Sequence, residues 1–169
     1  RQERISNVVF MGMGEPLMNT ENVLKTIQIM QDQKCYSLSK RRITLSTSGI
    51  VPEIEAITGK TDVSLAISLH ASNDDLRNKI VPINKKYPIK DLLASSKRYL
   101  NSLNSKSHIT IEYILINDVN DSIEDASNLV NLLSDLKCKI NLIPFNPFPE
   151  SDYERSTDEK VKAFKDYLI

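Results

Sequence analysis

The stretch of sequence that decides the fold reads Val63-Ser64-Leu65-Ala66-Ile67-Ser68-Leu69-His70. In it, bulky apolar residues alternate strictly with small or polar ones. Because successive side chains of a β-strand point to opposite faces, this pattern predicts one apolar face and one small, polar face. Residues 42–48 and 109–113 repeat the alternation. A parallel sheet covered by helices on both faces would be apolar on both, so the pattern favours a barrel whose polar face lines a lumen with room for a ligand.

The wider sequence supports a parallel arrangement, since five apolar runs alternate with helical patterns in the order of βα units. The predicted strands are 7–11, 42–46, 62–69, 109–116 and 139–143. The predicted helices are 21–33, 53–57, 73–79, 88–103 and 122–136, and another opens at residue 156. A solvent-exposed face of an antiparallel sheet would also alternate, but the intervening helices favour the barrel.

Local signals mark where three of these helices begin. Ser122-x-x-Asp125 and Ser156-x-x-Glu159 both resemble capping boxes, in which a hydroxyl and a carboxylate satisfy the first free amides of a helix. Pro88 fits the first helical position, where its missing N–H costs nothing.

Composition narrows the class of protein. The 169 residues suit about one domain. Equal numbers of basic and acidic residues, 22 each, argue against a nucleic-acid binder that acts through bulk charge. The sequence has no apolar run long enough to predict a membrane span and no signal-peptide pattern at its start. Two widely spaced cysteines, Cys35 and Cys138, predict neither a disulfide framework nor a zinc knuckle, and the default location is a reducing cytoplasm.

The two ends of the chain predict an incomplete domain over residues 1–169. The sequence opens at Arg1 just before an apolar run and stops at Ile169 inside a helical pattern. Domain termini usually lie in exposed, polar segments. We therefore interpret the chain as a piece of a longer protein, against the alternative of a compact natural chain that lacks only its first methionine.

Chemically distinctive residues follow the predicted strands at their carboxyl ends. These segments are Met11-Gly12-Met13-Gly14-Glu15-Pro16, Ser46-Thr47-Ser48-Gly49, Ser68-Leu69-His70-Ala71-Ser72-Asn73-Asp74 and Ile143-Pro144-Phe145-Asn146-Pro147-Phe148-Pro149. In (β/α) barrels the active site is built from the loops at this rim. The sequence therefore predicts a site there.

Each candidate residue also has a structural interpretation. Gly14 could have the purely structural role of forming a turn, or it could let the backbone approach a ligand. Glu15 could accept hydrogen bonds from an ammonium group. Ser46 could cap a turn, and His70 could be either a structural residue or a catalyst. Asn146 could be a turn residue or could bind a nucleobase or a ribose.

Five collinear motifs carry a family resemblance that covers essentially the whole chain. They lie at residues 7–17, 38–49, 66–71, 81–87 and 138–149. Together they resemble the radical S-adenosylmethionine (SAM) enzymes that methylate an adenine of 23S rRNA. Glu-Pro-Leu after Gly14 and the run Asn-Pro-Phe-Pro favour the adenine-C2 branch (RlmN-type) over the C8 branch (Cfr-type). The resemblance implies a partial (β/α) barrel of the radical SAM type, with five parallel strands present and the first strand and the flanking domains missing.

The resemblance also implies a site and its cofactors. Gly14 and Glu15 would hold the methionine portion of SAM, and its binding site would be completed by Ser46, Ser68, Leu69, His70 and Asn146. In the family, three cysteines spaced Cys-x3-Cys-x2-Cys bind a [4Fe-4S] cluster, and a later cysteine carries the methyl group. C2 of adenine is electron-poor and cannot attack the methyl group of SAM directly, which is why the family uses a methyl-cysteine intermediate.

Neither the three-cysteine motif nor the methyl-carrying cysteine is present in this sequence. We therefore assign no catalytic residue and no metal ligand to the chain, and we expect it to be inactive alone. For the complete protein the resemblance implies 23S rRNA, some tRNAs and an electron donor for the cluster as partners, a cytoplasmic location, and no membrane association. One alternative is a non-catalytic SAM-binding or structural barrel fragment, such as an inactive gene remnant. An aldolase-like barrel is disfavoured because no lysine ends a predicted strand.

Overall fold

The computed structural model describes residues 5–104 and 106–169, which form one parallel five-stranded sheet with helical crossovers. The strands are β1 (Val8–Phe10), β2 (Ile43–Thr47), β3 (Ser64–Ser68), β4 (Ile109–Leu115) and β5 (Cys138–Pro144). They lie side by side in chain order, and each pairs in parallel with the next. In the described part of the chain no further strand pairs with β1 or β5, so the sheet is an open, partial barrel. The predicted fold class is confirmed.

Within the described residues, six α-helices connect or follow the strands. They are α1 (Thr20–Gln31), α2 (Val51–Ile57), α3 (Asp74–Ile80), α4 (Ile89–Ser102), α5 (Ile123–Leu133) and α6 (Asp158–Tyr167). Short 3-10 turns occupy Pro16–Asn19, Lys40–Arg42 and Pro82–Lys85. Every predicted strand and helix is present, with ends that differ by a few residues. None of the helices among the described residues is both long and apolar enough to cross a membrane.

The alternation of side chains predicted for the strands is confirmed. On β3, Leu65 and Ile67 are fully buried beneath the helices. On the other face Ser64 and Ser68 remain partly exposed, while the small Ala66 between them is fully buried. Strand β2 repeats the pattern. Strand β4 carries one buried charge on its polar face, Glu112, whose Oε2 accepts a hydrogen bond of 2.8 Å from the side-chain amide of Asn141 on β5. The polar face of the sheet therefore carries small and polar side chains that leave part of it accessible.

One of the two predicted capping boxes is confirmed and the other is wrong. Ser122 and Asp125 cap α5 reciprocally. Helix α6, however, is capped by Thr157, whose hydroxyl accepts a hydrogen bond of 3.3 Å from the amide of Lys160. Ser156 is instead buried, because the chain ahead of α6 turns inward. The placement of Pro88 is also corrected, since it is the N-cap of α4 and not its first helical residue.

Candidate functional site

A cavity of about 370 Å³ opens at the carboxyl ends of β1 to β5. Five of the seven predicted site residues line it: Gly14, Glu15, Ser46, Ser68 and His70. Parallel strands place these ends at one edge of the sheet, and the loops that follow them surround the same space. The fold thus brings five of the predicted residues together, and their role in binding stays a prediction.

The loop after β1 passes over the cavity with two glycines in a left-handed conformation. Gly12 has φ +103° and Gly14 has φ +87°, values that residues with a side chain rarely adopt. A Cβ atom at either position would meet nothing within 4 Å. Space alone therefore does not demand glycine here. The backbone conformation does, and it leaves the peptide groups of the loop open to a ligand.

Glu15 joins the loop after β1 to the end of β2. Its Oε1 accepts a hydrogen bond of 3.0 Å from the amide of Leu17, and its Oε2 accepts bonds of 2.7 Å from both the amide and the hydroxyl of Ser48. These three bonds hold the carboxylate at the cavity wall. They also give Glu15 a structural role that the sequence did not reveal.

Ser46 and Ser68 offer unengaged hydroxyl groups. Both side chains lie on the polar face of the sheet at the cavity, and both residues are half-buried. Within the described residues, neither hydroxyl makes a hydrogen bond to another protein group. Each can therefore donate to or accept from a bound molecule.

His70 follows β3 in a left-handed conformation with φ +62°. The amide of Ile114 donates a 3.2 Å hydrogen bond to its Nδ1. Burial, reinforced by the nearby charge of Arg77, lowers the pKa of His70 to about 4, so the imidazole is neutral at pH 7. Because Nδ1 accepts a hydrogen bond, the proton resides on Nε2, which is a donor.

The other two predicted site residues do not line this cavity. The side chain of Leu69 is fully buried in the core. Its backbone amide donates to the carbonyl of Glu112, and its carbonyl accepts from Arg77. Asn146 lies exposed on the segment beyond β5.

A second, larger cavity of about 520 Å³ adjoins the first, and His70 and Ile114 line both. Its wall includes Phe145, Phe148 and Tyr153. The ring of Phe145 lies 6.1 Å from each of the other two rings, edge-on to Tyr153. Asn146 follows Phe145 on this aromatic segment, but it is exposed and is not among the residues that line either cavity.

Sequence reasoning missed two buried residues that hold the rim together. Arg77 on α3 donates hydrogen bonds to carbonyl oxygens at the ends of β2 and β3. Asn120 donates to the carbonyls of His70 and Ile114 and accepts from the amide of Ile116. A single arginine or asparagine in a polar stretch gives no signal of such a role. Only the pairing of their side chains with distant backbone groups shows it.

The described residues contain no cluster of metal-ligating side chains. Nowhere in residues 5–104 and 106–169 do three His, Cys, Asp or Glu side chains lie close enough together to hold a metal ion. Cys35 is exposed, and Cys138 is half-buried, with the pKa of its thiol raised by burial. Cys138 opens β5 at the rim opposite the cavity.

Comparisons with known proteins show the family to which the chain belongs. The family model of the radical SAM superfamily matches residues 1–130. The chain belongs to the radical SAM superfamily. Two curated relatives of this radical SAM chain, from Pseudomonas putida strain F1 and Pseudomonas entomophila strain L48, are each named dual-specificity RNA methyltransferase RlmN. Both are 57% identical to it over 164 residues, or 97% of the chain. The chain spans 43% of the length of each.

Two solved structures share the architecture of this radical SAM chain. A radical SAM methyltransferase from Sphaerobacter thermophilus is 43% identical with a TM-score of 0.90, and the match covers 96% of this chain and 48% of that one. A domain of the pyruvate-formate lyase-activating enzyme from Bacteroides vulgatus has a TM-score of 0.70 at 16% identity, over 96% and 92% of the two chains. The second likeness concerns the fold alone. The family resemblance and the partial barrel inferred from the sequence are both confirmed.

Proposed function

We propose that the chain is the SAM-binding part of an RNA methyltransferase that methylates C2 of an adenine in 23S rRNA, and of an adenine in some tRNAs. The observation that carries this proposal is the joint placement of Gly14, Glu15, Ser46, Ser68 and His70 around one cavity. The 57% identity to proteins named RlmN supports the choice of reaction. It does not favour a non-catalytic remnant. In this proposal residues 1–169 form an incomplete radical SAM core domain.

The first cavity suits the methionine portion of SAM. Its volume of about 370 Å³ lies within the range of about 300–1,000 Å³ that small-molecule sites occupy. The carboxylate of Glu15 can accept a hydrogen bond from the ammonium group while its own contacts hold it in place. The hydroxyls of Ser46 and Ser68 and the open backbone at Gly14 supply further polar groups. The backbone of Leu69 supports the site by fixing the end of β3 through its hydrogen bonds to Glu112 and Arg77.

The second cavity suits the nucleoside portion of SAM. Aromatic rings such as Phe145 and Phe148 offer flat apolar surfaces against which a purine can stack. The side-chain amide of Asn146 on the same segment can hydrogen-bond to the base or the ribose. The neutral His70 lies between the two cavities with a donor at Nε2. SAM would therefore extend across His70 from one cavity to the other.

The chain does not itself fit a [4Fe-4S] cluster. Such a cluster is held by several cysteine thiolates, and this sequence has only two cysteines, both away from the cavity. We propose that the cluster ligands and the methyl-carrying cysteine belong to other parts of the complete protein. SAM, when bound, supplies the methyl group and the source of the radical. The residues of this chain bind and orient it.

The complete protein, in this proposal, works in the cytoplasm on ribosomal and transfer RNA, with an electron donor that reduces the cluster. Deletion of the gene that encodes the chain tests the reaction directly. Nucleosides from 23S rRNA and from tRNA are separated and analysed by mass spectrometry. We expect 2-methyladenosine to disappear from 23S rRNA and to fall in tRNA, and to return when the wild-type gene is restored. Unchanged 2-methyladenosine in both RNAs would contradict the proposed function.

A further inference from the structure

The side chain of Arg77 on α3 is fully buried beneath the cavity rim, and its hydrogen-bond acceptors among the described residues are neutral oxygens. Its Nε donates to the carbonyl of Leu69 at 3.0 Å. Its Nη2 donates to the carbonyls of Ser48 at 2.7 Å and of Ser68 at 2.9 Å. Its Nη1 donates to Oδ1 of Asn84 at 2.8 Å. One guanidinium group thus ties the end of β2 to the end of β3.

The orientation of the guanidinium is itself fixed from behind. The side-chain amide nitrogen of Asn84 donates to Oδ1 of Asp74 at 2.7 Å and to Oδ1 of Asn78 at 2.8 Å. The same Asp74 oxygen accepts from the amide of Ile89 at the start of α4. The carboxylate of Asp74 therefore acts on Arg77 through Asn84, and among the described residues no carboxylate bonds the guanidinium directly.

Burying a cation is costly unless several well-oriented partners compensate for the hydration that it loses. Burial lowers the pKa of Arg77 to about 10, which still leaves the group charged at neutral pH. The planar fork of arginine suits three carbonyls in fixed directions, which a single ammonium group does not.

The residues that Arg77 holds are connected to the proposed SAM contacts. Ser48, whose carbonyl Arg77 binds, donates its amide and hydroxyl to the carboxylate of Glu15. Ser68 is itself a proposed contact, and Leu69 leads directly into His70. Gly49, next to Ser48, has φ +109°, and a Cβ there would come within 3.0 Å of Leu92. The turn after β2 therefore has little conformational freedom, and the hydrogen bond from Arg77 fixes the carbonyl group of Ser48.

We propose that Arg77 is a positioning residue for SAM, which aligns Glu15 through Ser48 and aligns Ser68 and His70 through the carbonyls at the end of β3. The inference deepens the proposed function and rests on it. Arg77 touches no ligand in this scheme. It sets the directions of the groups that do.

The competing explanation is that Arg77 only stabilises the fold. Arg77→Lys, Arg77→Met and the milder Asn84→Ala are compared with Leu133→Ala in the complete protein. Leu133 is a nearly buried core residue at the carboxyl end of α5, next to the opposite rim of the sheet. Truncating it lowers stability without altering the site. SAM affinity by isothermal titration and the thermal midpoint are measured for each.

We expect both Arg77 variants to bind SAM at least about tenfold more weakly, by analogy with the loss of about 10–100-fold that follows removal of groups that orient metal ligands. Asn84→Ala should lose affinity less severely, and Leu133→Ala should keep wild-type affinity at an equally lowered midpoint. Arg77→Lys should not rescue binding, since it keeps the charge without the fork. Should Arg77→Met fail to fold, Arg77→Lys and Asn84→Ala decide the question.

Two results would overturn the inference. One is wild-type SAM affinity in the folded Arg77 or Asn84 variants, and the other is an equal loss in Leu133→Ala. A wild-type protein that binds no SAM would count against the proposed function instead, so the two failures are distinguishable.

Discussion

Ser46 and Ser68 are the residues at which binding can be separated from folding, because within the described chain their hydroxyls bond to nothing. We predict that Ser46→Ala and Ser68→Ala each weaken SAM binding several-fold, the effect of about 0.5–1.5 kcal/mol per hydrogen bond. Stability should change by no more than about 0.5 kcal/mol. Isothermal titration and urea unfolding of the complete protein measure both quantities.

Ser64 provides the matched control for this experiment. It lies on the same polar face of β3 but at the amino end of the strand, where it lines a different cavity. Ser64→Ala should leave SAM affinity unchanged. Equal losses in all three variants would show that the cavity at the carboxyl rim is not the binding site.

Glu15 should behave differently, since its carboxylate has both a structural and a proposed binding role. Glu15→Ala leaves the amides of Leu17 and Ser48 without an acceptor, and each such loss costs about 1–3 kcal/mol if the group stays out of water. Glu15→Gln keeps an acceptor oxygen and removes the charge. Because both carboxylate oxygens accept from backbone amides, the side-chain NH2 of glutamine must face one of these donors. We therefore predict that the glutamine variant loses less stability than the alanine variant in urea unfolding, and that it binds SAM more weakly than the wild type. Unchanged affinity in Glu15→Gln would show that no ammonium group meets this carboxylate.

His70 makes stability depend on pH. Its folded-state pKa of about 4 lies below the ordinary value of 6.5, so between these values the unfolded chain binds more protons than the folded one. The stabilisation is complete above pH 6.5 and is lost as the pH falls towards 4, and it amounts to about 3 kcal/mol at most.

We therefore predict that the free energy of unfolding falls between pH 7.5 and pH 5 in urea titrations, and that His70→Gln flattens this slope. His108→Gln is the control, because the pKa of His108 is also lowered, by burial and then by Lys139 and Lys137, but this residue is far more accessible. A steep slope that persists in His70→Gln and vanishes in His108→Gln would assign the effect to the wrong histidine.

At the residue scale, the sequence revealed which side chains reach the rim and not what holds them there. Alternation along β3 was enough to place Ser68 and His70 on the cavity side. Glu15 and Arg77 both bond to Ser48, which lies 33 and 29 residues away from them in the chain, and such partners have no signature in a single sequence. Asn146 was expected beside Gly14 because both follow strands, but it lies exposed beyond the end of β5 and does not line the cavity.

At the scale of elements, periodicity located every strand and helix, while the ends depended on local competition. Two neighbouring residues with hydroxyl groups, Ser156 and Thr157, precede α6, and the sequence pattern predicted the first as the N-cap. Burial decides in favour of the second, because Ser156 points inward while Thr157 stays at the surface. Spacing to a downstream acidic residue could not distinguish them.

This pair gives a sharp test of the helix boundary. We predict that Thr157→Ala costs about 1 kcal/mol in the free energy of unfolding, since it removes the acceptor for the amide of Lys160. Ser156→Ala should be neutral or stabilising, because among the described groups its buried hydroxyl has no partner. Urea unfolding of both variants is the measurement. A larger cost at Ser156 would restore the boundary that the sequence indicated.

At the scale of the whole molecule, the distribution of cysteines sets what the chain can do alone. We predict that the 169-residue chain, incubated anaerobically with iron and sulfide, stays colourless, holds no stoichiometric iron and transfers no methyl group to RNA, because its cysteines cannot surround a cluster. Iron analysis and visible absorption test this. A longer product that includes the expected three-cysteine motif is the positive control. A brown, iron-containing preparation of the short chain would refute the prediction.

The open sheet has one more consequence. Strands β1 and β5 each leave one side without a neighbouring strand in the described chain. The amide and carbonyl groups along both borders can therefore form hydrogen bonds with an extended peptide. At high concentration, we expect copies of the isolated chain to associate through these borders. Adding charge to a border position such as Val9, which is 55% exposed, should keep them apart.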